Sequence, residues 1–412
     1  MTWLAIFSPG HLLDWWVERA FVLLVILFGI STTLFFGVPR QMGKYKVGAL
    51  FLMLFMVQSI YLLTYLFSVV ATNMDTGVRD YFELPRFLIW ICFFCLLVSG
   101  YSLRLRNCFE LAVKVSLIYS TIVAISLWAK VPSLLPFFGE YLYADTKTVI
   151  EGNWIRLAAP FENPNFLAYY LVMCLVYFLF FARTTLRHLW LFLILALLYF
   201  TGSRSGWFVG ALVWITLVIS LPYRGLRKHE MRVVIGAFLS TIILAGILWS
   251  YVDDIAASSR VTMTLRAMEQ GGLTHDPNFQ GRIDMIESTI AYFVDRPLLG
   301  WGAGKYGVMD VVDNQFGIWL LRNGLIGTLL IMVSLTMYFV CQLQSTRDRH
   351  YKTGLTAFWG SVFLMLQTGA FLDNFRLGFL FFLFTISISL SMKDRAPSRR
   401  LLSRIHRAAE QC

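Results

Sequence analysis

Apolar runs recur along this chain from end to end, near 20–37, 47–71, 86–103, 109–128, 165–182, 187–202, 205–221, 232–251, 315–341, 353–371 and 375–391. Most approach the roughly 20 residues that a helix needs to cross a hydrocarbon core of about 30 Å. The spacing therefore predicts an all-α polytopic membrane protein with 11–12 transmembrane helices. Eleven spans are clear. The twelfth depends on the start, "MTWLAIFSPGHLLDWWVERA", which is short and interrupted, and whose Trp3, Trp15 and Trp16 suit an interfacial helix. Composition excludes an ordinary soluble fold: 58% of residues are hydrophobic and 14% charged, where a soluble chain carries about a quarter charged residues.

The net charge of +11 reads as positive loops on one side of a membrane, not as a nucleic-acid surface. If the C-terminal tail is cytoplasmic, the same side receives "PRQMGKYK", "RLRN", "RTTLRH", "PYRGLRKHEMR" and "STRDRHYK". With the tail, these hold 20 of the 35 Lys and Arg residues. The longer connections at 72–85, 129–164 and 252–312 then lie outside the cytoplasm. The chain divides into N-terminal membrane helices over 1–251, a large external loop over 252–312, C-terminal membrane helices over 313–392 and a basic cytoplasmic tail over 393–412. No cleavable signal peptide is expected, because the first basic residue is Arg19 and no small-residue cleavage site follows a short apolar core.

Within the large loop, Ile283, Ile286, Ile290 and Phe293 recur at helical spacing and Pro297 stops the pattern. "RVTMTLRAMEQ" predicts a shorter helix. Cys92 and Cys95 form a CxxC inside an apolar run, and small packing residues explain them better than a redox pair. No His, Cys, Asp or Glu spacing suggests a metal site, and no cofactor is expected.

Polar groups inside membrane segments are costly and mark candidate sites. Four stretches carry them. In "YFTGSRSGWFVG" (199–210), Ser203, Arg204 and Ser205 lie between two short apolar runs. A recessed Arg204 lining a cavity is favoured there over an ordinary tight turn at the headgroups. In "WIRLAAPFENPNFLAYYL" (154–171), Asn163 or Asn165 caps a helix opened by Pro164, while Arg156 pairs with Glu162 or faces a ligand. Gly281-Arg282 reads as the start of the loop helix, where free backbone N–H groups and an Arg suit an anion. A surface Arg explains it equally well. "GWGAGKYG" (300–307) imitates a nucleotide loop but neither follows a strand nor ends as a P-loop does. It reads instead as a tight re-entry into the membrane.

The fourth stretch is "VVDNQFGIWLLRNGLIG" (311–327). At 100° per residue, Asp313, Gly317, Leu320, Gly324, Gly327 and Ile331 share a face that allows close helix packing. Arg322 projects from the opposite face. Asp313 is either an N-cap or a general base beside the outer-face arginines, with Asn314 next to it. His275, in "THDPN", is a second acid–base candidate or a turn residue.

Taken in order over about residues 154–330, "RLAAPFENPNFLAYYL", "TGSRSGW", "GRIDMIESTIAYFVDRPLLGWGAGKYG" and "DNQFGIWLLRNGLIG" resemble the O-antigen ligase and polymerase superfamily. The resemblance implies a GT-C-like glycosyltransferase of the bacterial inner membrane, inverting and metal-independent, whose large loop is periplasmic. Its donor would be a glycan on undecaprenyl pyrophosphate, and its other partners membrane lipids and a chain-length regulator protein. Arg204 and Arg282 would hold the pyrophosphate, with Arg156 a weaker candidate. Asn163, Asn165, Ser203, Ser205, Asn314 and Arg322 would line the substrate. Ligases of the family usually place His-Asn where this chain has Asp313-Asn314, which favours polymerase over ligase. A lipid-linked glycan transporter is the remaining rival. It would need an internal two-fold repeat and charges along a path across the whole membrane, and neither is evident.

Overall fold

The computed structural model describes residues 102–128, 142–143, 156–161, 163–182, 184, 186–220, 277–302, 312, 314–346, 348–372 and 375–393. The expected spans at 20–37, 47–71 and 232–251, nearly all of 86–103, the N-terminal Trp-rich segment, Cys92 and Cys95 lie outside these residues. So do the "RVTMTLRAMEQ" helix, Glu162, His275, Asp313 and the basic tail.

The described chain is mostly helical. Its elements are α1 (Ser102–Trp128), β1 (Leu142–Tyr143), β2 (Arg156–Leu157), α2 (Pro164–Phe180), α3 (Arg187–Phe200), α4 (Arg204–Ser220), α5 (Pro277–Asp295), α6 (Gln315–Ser345), α7 (Arg349–Thr368) and α8 (Phe375–Lys393). The two strands pair antiparallel, Leu142 with Leu157 and Tyr143 with Arg156. The described helix ends fall within a few residues of the apolar runs, with one correction. "RLRN", expected as a loop, is helical, because α1 starts at Ser102 and runs through it without a break.

α2 is the centre of the packing. Its sequence is apolar on all sides, so no face suits water and the whole helix must be covered. From Leu167 to Phe180 no residue exceeds 2% exposure. α3, α4, α7, α8 and β2 all pack against it. Both its ends are satisfied. The Asn163 side chain accepts from the Asn165 N–H at 2.8 Å, with Pro164 in the first turn. At the far end Arg187 donates to the carbonyls of Phe178 and Leu179, a cation on the negative end of the helix.

Other helices leave apolar ridges uncovered. Leu111, Ile118, Ile122 and Ile125 are exposed along α1, Phe208, Ile215 and Val218 along α4, and Ile326, Leu329, Val333 and Val340 along α6. Each set recurs at helical spacing, so each is a continuous stripe, larger together than a soluble monomer tolerates. α1 over Arg106–Ser126 and α6 over Gln315–Gln344 are long and apolar enough to cross a membrane.

α6 is not one regular helix. Gly324 has φ 60° and ψ −168°, and the helix breaks there. The segment after α5 fills the break. Trp301 N–H donates to the Leu321 carbonyl at 2.6 Å, Leu325 N–H to Pro297 at 2.8 Å and Ile326 N–H to Leu298 at 3.2 Å. Backbone groups freed by the break are thereby paired inside the protein, the condition for irregular backbone near a bilayer. The fit needs glycine on both sides. A Cβ on Gly324 would lie 2.3 Å from the Leu298 oxygen, and one on Gly300 (φ 72°) would lie 2.5 Å from the Gly324 nitrogen. This corrects the expected glycine face. Gly317 does meet a helix, at Thr289 of α5, but Gly324 meets the 297–301 segment, and a Cβ on Gly327 would meet Asn323 of its own helix.

Candidate functional site

Two of the four polar stretches meet at the N-termini of α2 and α4. Arg156 is only 3% exposed. Its Nε donates to the Thr201 carbonyl at 2.8 Å and its Nη2 to Asn165 Oδ1 at 3.1 Å. One guanidinium therefore ties the first turn of α2 to the segment entering α4. The sequence left Arg156 between Glu162 and a ligand; Thr201 and Asn165 are its partners here, and Glu162 lies outside the described residues.

The α3–α4 connection folds locally. Gly202 adopts φ 58°, and Thr201 Oγ1 accepts from the Ser203 N–H at 3.2 Å. Ser203 is buried, accepts from the Gly206 N–H at 3.3 Å and lies 3.2 Å from the Ser205 hydroxyl. That places Ser203 as the cap and Arg204, half-buried, as the first residue of α4. The expected pair of short helices with Arg204 at their junction is present. Two helix N-termini and two arginines thus bring positive potential together at one place.

The other two stretches meet at a cleft between α5, α6 and α7. Arg282, Met285, Ile286, Thr289, Val312, Asn314, Gln367 and Thr368 line it. Asn314 caps α6, its Oδ1 accepting from the N–H groups of Phe316 at 2.8 Å and Gly317 at 3.4 Å. The cap is therefore Asn314 and not Asp313. Two adjacent cap-forming residues left that choice open in the sequence, and the backbone decides it. The expected helix start at Gly281-Arg282 is also corrected. α5 begins at Pro277, so Arg282 stands in its second turn, exposed, and the free N–H groups lie further back.

A hydrogen bond links the two places. Tyr169, one turn after Asn165 on α2, lies 3.1 Å from Thr368 Oγ1 through its hydroxyl, and Thr368 lines the cleft. Next to this link the Gln315 side chain accepts from the Leu372 N–H at 2.9 Å, fixing the start of α6 against the turn after α7. Arg322 is buried at 5% exposure, two residues before the break, and is not a free charge. Sequence reading missed Thr201, Tyr169, Gln367 and Thr368. Thr201 carried a signal, since it immediately precedes Gly-Ser-Arg-Ser. Tyr169 carried none, since a tyrosine in an apolar run is ordinary.

The class defined by these features is a helical chain of membrane character with Arg156 and Arg204 at the starts of α2 and α4 and Arg282 beside the start of α6. Comparison with known families sharpens it: residues 189–332 match the family described as O-Antigen ligase. That match bears out the resemblance to the O-antigen ligase and polymerase superfamily. Its members are membrane glycosyltransferase-type enzymes that act on lipid-linked oligosaccharides. The matched region contains Arg204, Arg282, Arg322 and the break at Gly324, and stops short of Arg156, Asn163 and Asn165. No curated protein matches the chain.

Proposed function

We propose that this chain is an O-antigen polymerase, a multi-pass glycosyltransferase of the bacterial inner membrane whose site faces the periplasm. It joins repeat units carried on undecaprenyl pyrophosphate. The observation that carries this reading is the linkage of the two arginine-bearing places through Tyr169 and Thr368. The pyrophosphate must be held beside the attacking sugar hydroxyl, and this link joins the Arg204 place to the cleft that Arg282 and Asn314 line, so that both arginines can serve one pyrophosphate.

In the proposed step, the hydroxyl of an acceptor repeat unit attacks the anomeric carbon of the donor glycan. It attacks from the face opposite the pyrophosphate, so the configuration inverts. The bond between that carbon and the phosphate oxygen breaks, and undecaprenyl pyrophosphate leaves with the electron pair. Asp313, next to the Asn314 cap, takes the hydroxyl proton. Arg204 and Arg282 neutralise the leaving pyrophosphate, their planar forks matching its oxygens. Arg156 positions the α2 and α4 starts. Ser203, Ser205, Asn163 and Asn165 shape the donor side, and Asn314 and Arg322 the acceptor side. A chain-length regulator would act on the product.

The test is a deletion strain examined by lipopolysaccharide gel. Loss of a polymerase leaves core capped with a single repeat. Complementation with Arg204→Ala is expected to fail to restore long chains, since losing one donor to a developing anion costs about 3–4 kcal/mol, roughly a hundredfold or more in rate. Arg204→Lys should recover little, because a point charge lacks the fork. Asp313→Ala should abolish growth. Normal chain length with Arg204→Ala would overturn the assignment.

The ligase reading is favoured by one observation, the description of the matching family. It predicts bare core and stranded lipid-linked polymer on the same gel, and Asp313→His should then retain or raise activity.

A further inference from the structure

We infer that α5 is an interfacial helix seated on the outer surface of the bilayer, with acyl chains as the partner of its exposed apolar stripe. This inference rests on the membrane reading of the chain and not on the reaction proposed for it.

The first argument is where α5 sits. Trp359 of α7 donates to Gln342 of α6 at 2.8 Å, and Thr368 of α7 lines a cleft with Asn314 at the start of α6. Between those contacts α7 advances nine residues, about 14 Å, while α6 covers 28 residues, about 42 Å if straight. A straight α6 would carry Asn314 well past the end of α7. The break at Gly324 resolves this by turning the outer arm, Gln315–Asn323, back toward the end of α7. α5 follows that arm: Arg282 lines the cleft with Asn314, Thr289 meets Gly317, and Leu298 reaches Gly324. From Gln342 back to the break at Gly324, α6, a helix long and apolar enough to cross a membrane, rises about 27 Å, close to the thickness of the hydrocarbon core. A helix packed at that outer end is therefore at the membrane boundary.

The second argument is the surface that α5 shows there. Ile286, Ile290 and Val294 are 47%, 55% and 66% exposed and, with half-buried Ile283, form one stripe. Asp284, Ser288 and Asp295 are exposed on the other side, and Glu287 is exposed at the edge of the stripe. Packing to α6 uses a third face, that of Thr289 and Met285, and Ile286 borders the same cleft, so it accounts for neither Ile290 nor Val294. The apolar stripe continues through exposed Leu298 and Leu299 to exposed Leu325, Ile326, Leu329 and Val333 on α6. Leu298 and Leu325–Ile326 are joined by the backbone bonds that fill the break. One apolar surface thus runs from the loop helix onto the flank of a helix long enough to span. An amphipathic helix with that continuity lies in the interface plane. The loop that the sequence marked as the largest soluble piece is, in this part, membrane-bound.

The experiment uses the full chain with its cysteines replaced, reconstituted in phosphatidylcholine vesicles. Single cysteines at positions 290 and 294, or at 284, 288 and 295, carry an environment-sensitive fluorophore, and cysteines at 329 and 333 serve as lipid controls. Lipids with a nitroxide on the acyl chain are expected to remove most of the emission at 290 and 294, as at 329 and 333. Aqueous iodide should act only at 284, 288 and 295. Iodide quenching at 290 and 294, or protection there from both quenchers, would overturn the inference, the second outcome meaning a protein partner. Failure at 329 and 333 as well would overturn the membrane reading itself. No outcome depends on glycan transfer, so the polymerase assignment stands or falls separately on the gel.

Discussion

α2 and α6 begin alike and are built for opposite ends. Each is capped by an asparagine in extended conformation, and each packs against α7. α2 then runs unbroken and, from Leu167 to Phe180, is buried throughout. α6 holds Arg322 and Asn323 at 5% and 1% exposure and breaks one residue later. The Asn323 amide has neither its donor nor its acceptor paired, where α2 leaves the Tyr177 hydroxyl alone in that state, so the polar cost sits beside the break. The difference separates a helix that holds the bundle together from one whose outer arm is set at an angle to make a site. The angle depends on a second segment, 297–301, fitted against it backbone to backbone.

The largest expected effect breaks the second helix while sparing the first. Gly324→Ala puts a side chain into a backbone region that only glycine adopts, costing about 1–3 kcal/mol, and drives it into the Leu298 carbonyl, costing a similar amount again. Gly300→Ala meets the same contact from the other side. Both variants should lose several kcal/mol, read as a lower melting temperature in detergent. Each should lose glycan growth even at temperatures where it stays folded. If Gly324→Ala melted normally, the break would not be the device described.

Next in size is Arg156→Ala. It strands the Thr201 carbonyl and the Asn165 side chain in a buried place, at about 1–3 kcal/mol. Arg156→Lys should recover only part, since one ammonium cannot span both acceptors in the plane of a guanidinium. Arg204 is half-buried and not a free side chain, so Arg204→Ala should lower the melting temperature less than Arg156→Ala while removing activity. That pair of measurements separates the residue that positions from the residue that acts.

How much of this could be read beforehand follows the same division. α2 was legible nearly to the residue, because its cap, its Pro164 and its apolar run are all local signals. The bounds of α6 were legible too, 315–341 against 315–345, but its break was not. Gly317, Gly324 and Gly327 look equivalent in a helical projection, and only the distant 297–301 segment decides which one opens. Arg204, Ser203 and Asn165 stood out because polar residues in apolar runs are conspicuous. Their grouping around Arg156, and the Tyr169–Thr368 link, depend on pairs 9, 45 and 199 residues apart, which no local pattern encodes.

The two caps give a smaller and sharper contrast. Asn163→Ala and Asn314→Ala should each cost about 1 kcal/mol of stability. Aspartate also caps, so Asn163→Asp and Asn314→Asp should both melt near the parent. Their activities should part: Asn163→Asp keeps glycan growth, whereas Asn314→Asp, a second carboxylate next in sequence to Asp313, loses it. Equal activities would mean that Asn314 does nothing beyond capping.

The smallest effect tests the corrected start of α5. A Cβ on Gly281 meets nothing within 4 Å, and the residue lies inside a helix that begins at Pro277. Gly281→Ala should therefore stabilise by up to about 1 kcal/mol, the difference in helix propensity. Had the helix begun at Gly281, the substitution would fall at the cap, where alanine is poorer than glycine, and the sign would reverse. Melting curves of the parent and this one variant decide between the two starts. They also decide whether Arg282 faces the cleft from the side of a helix or from its end.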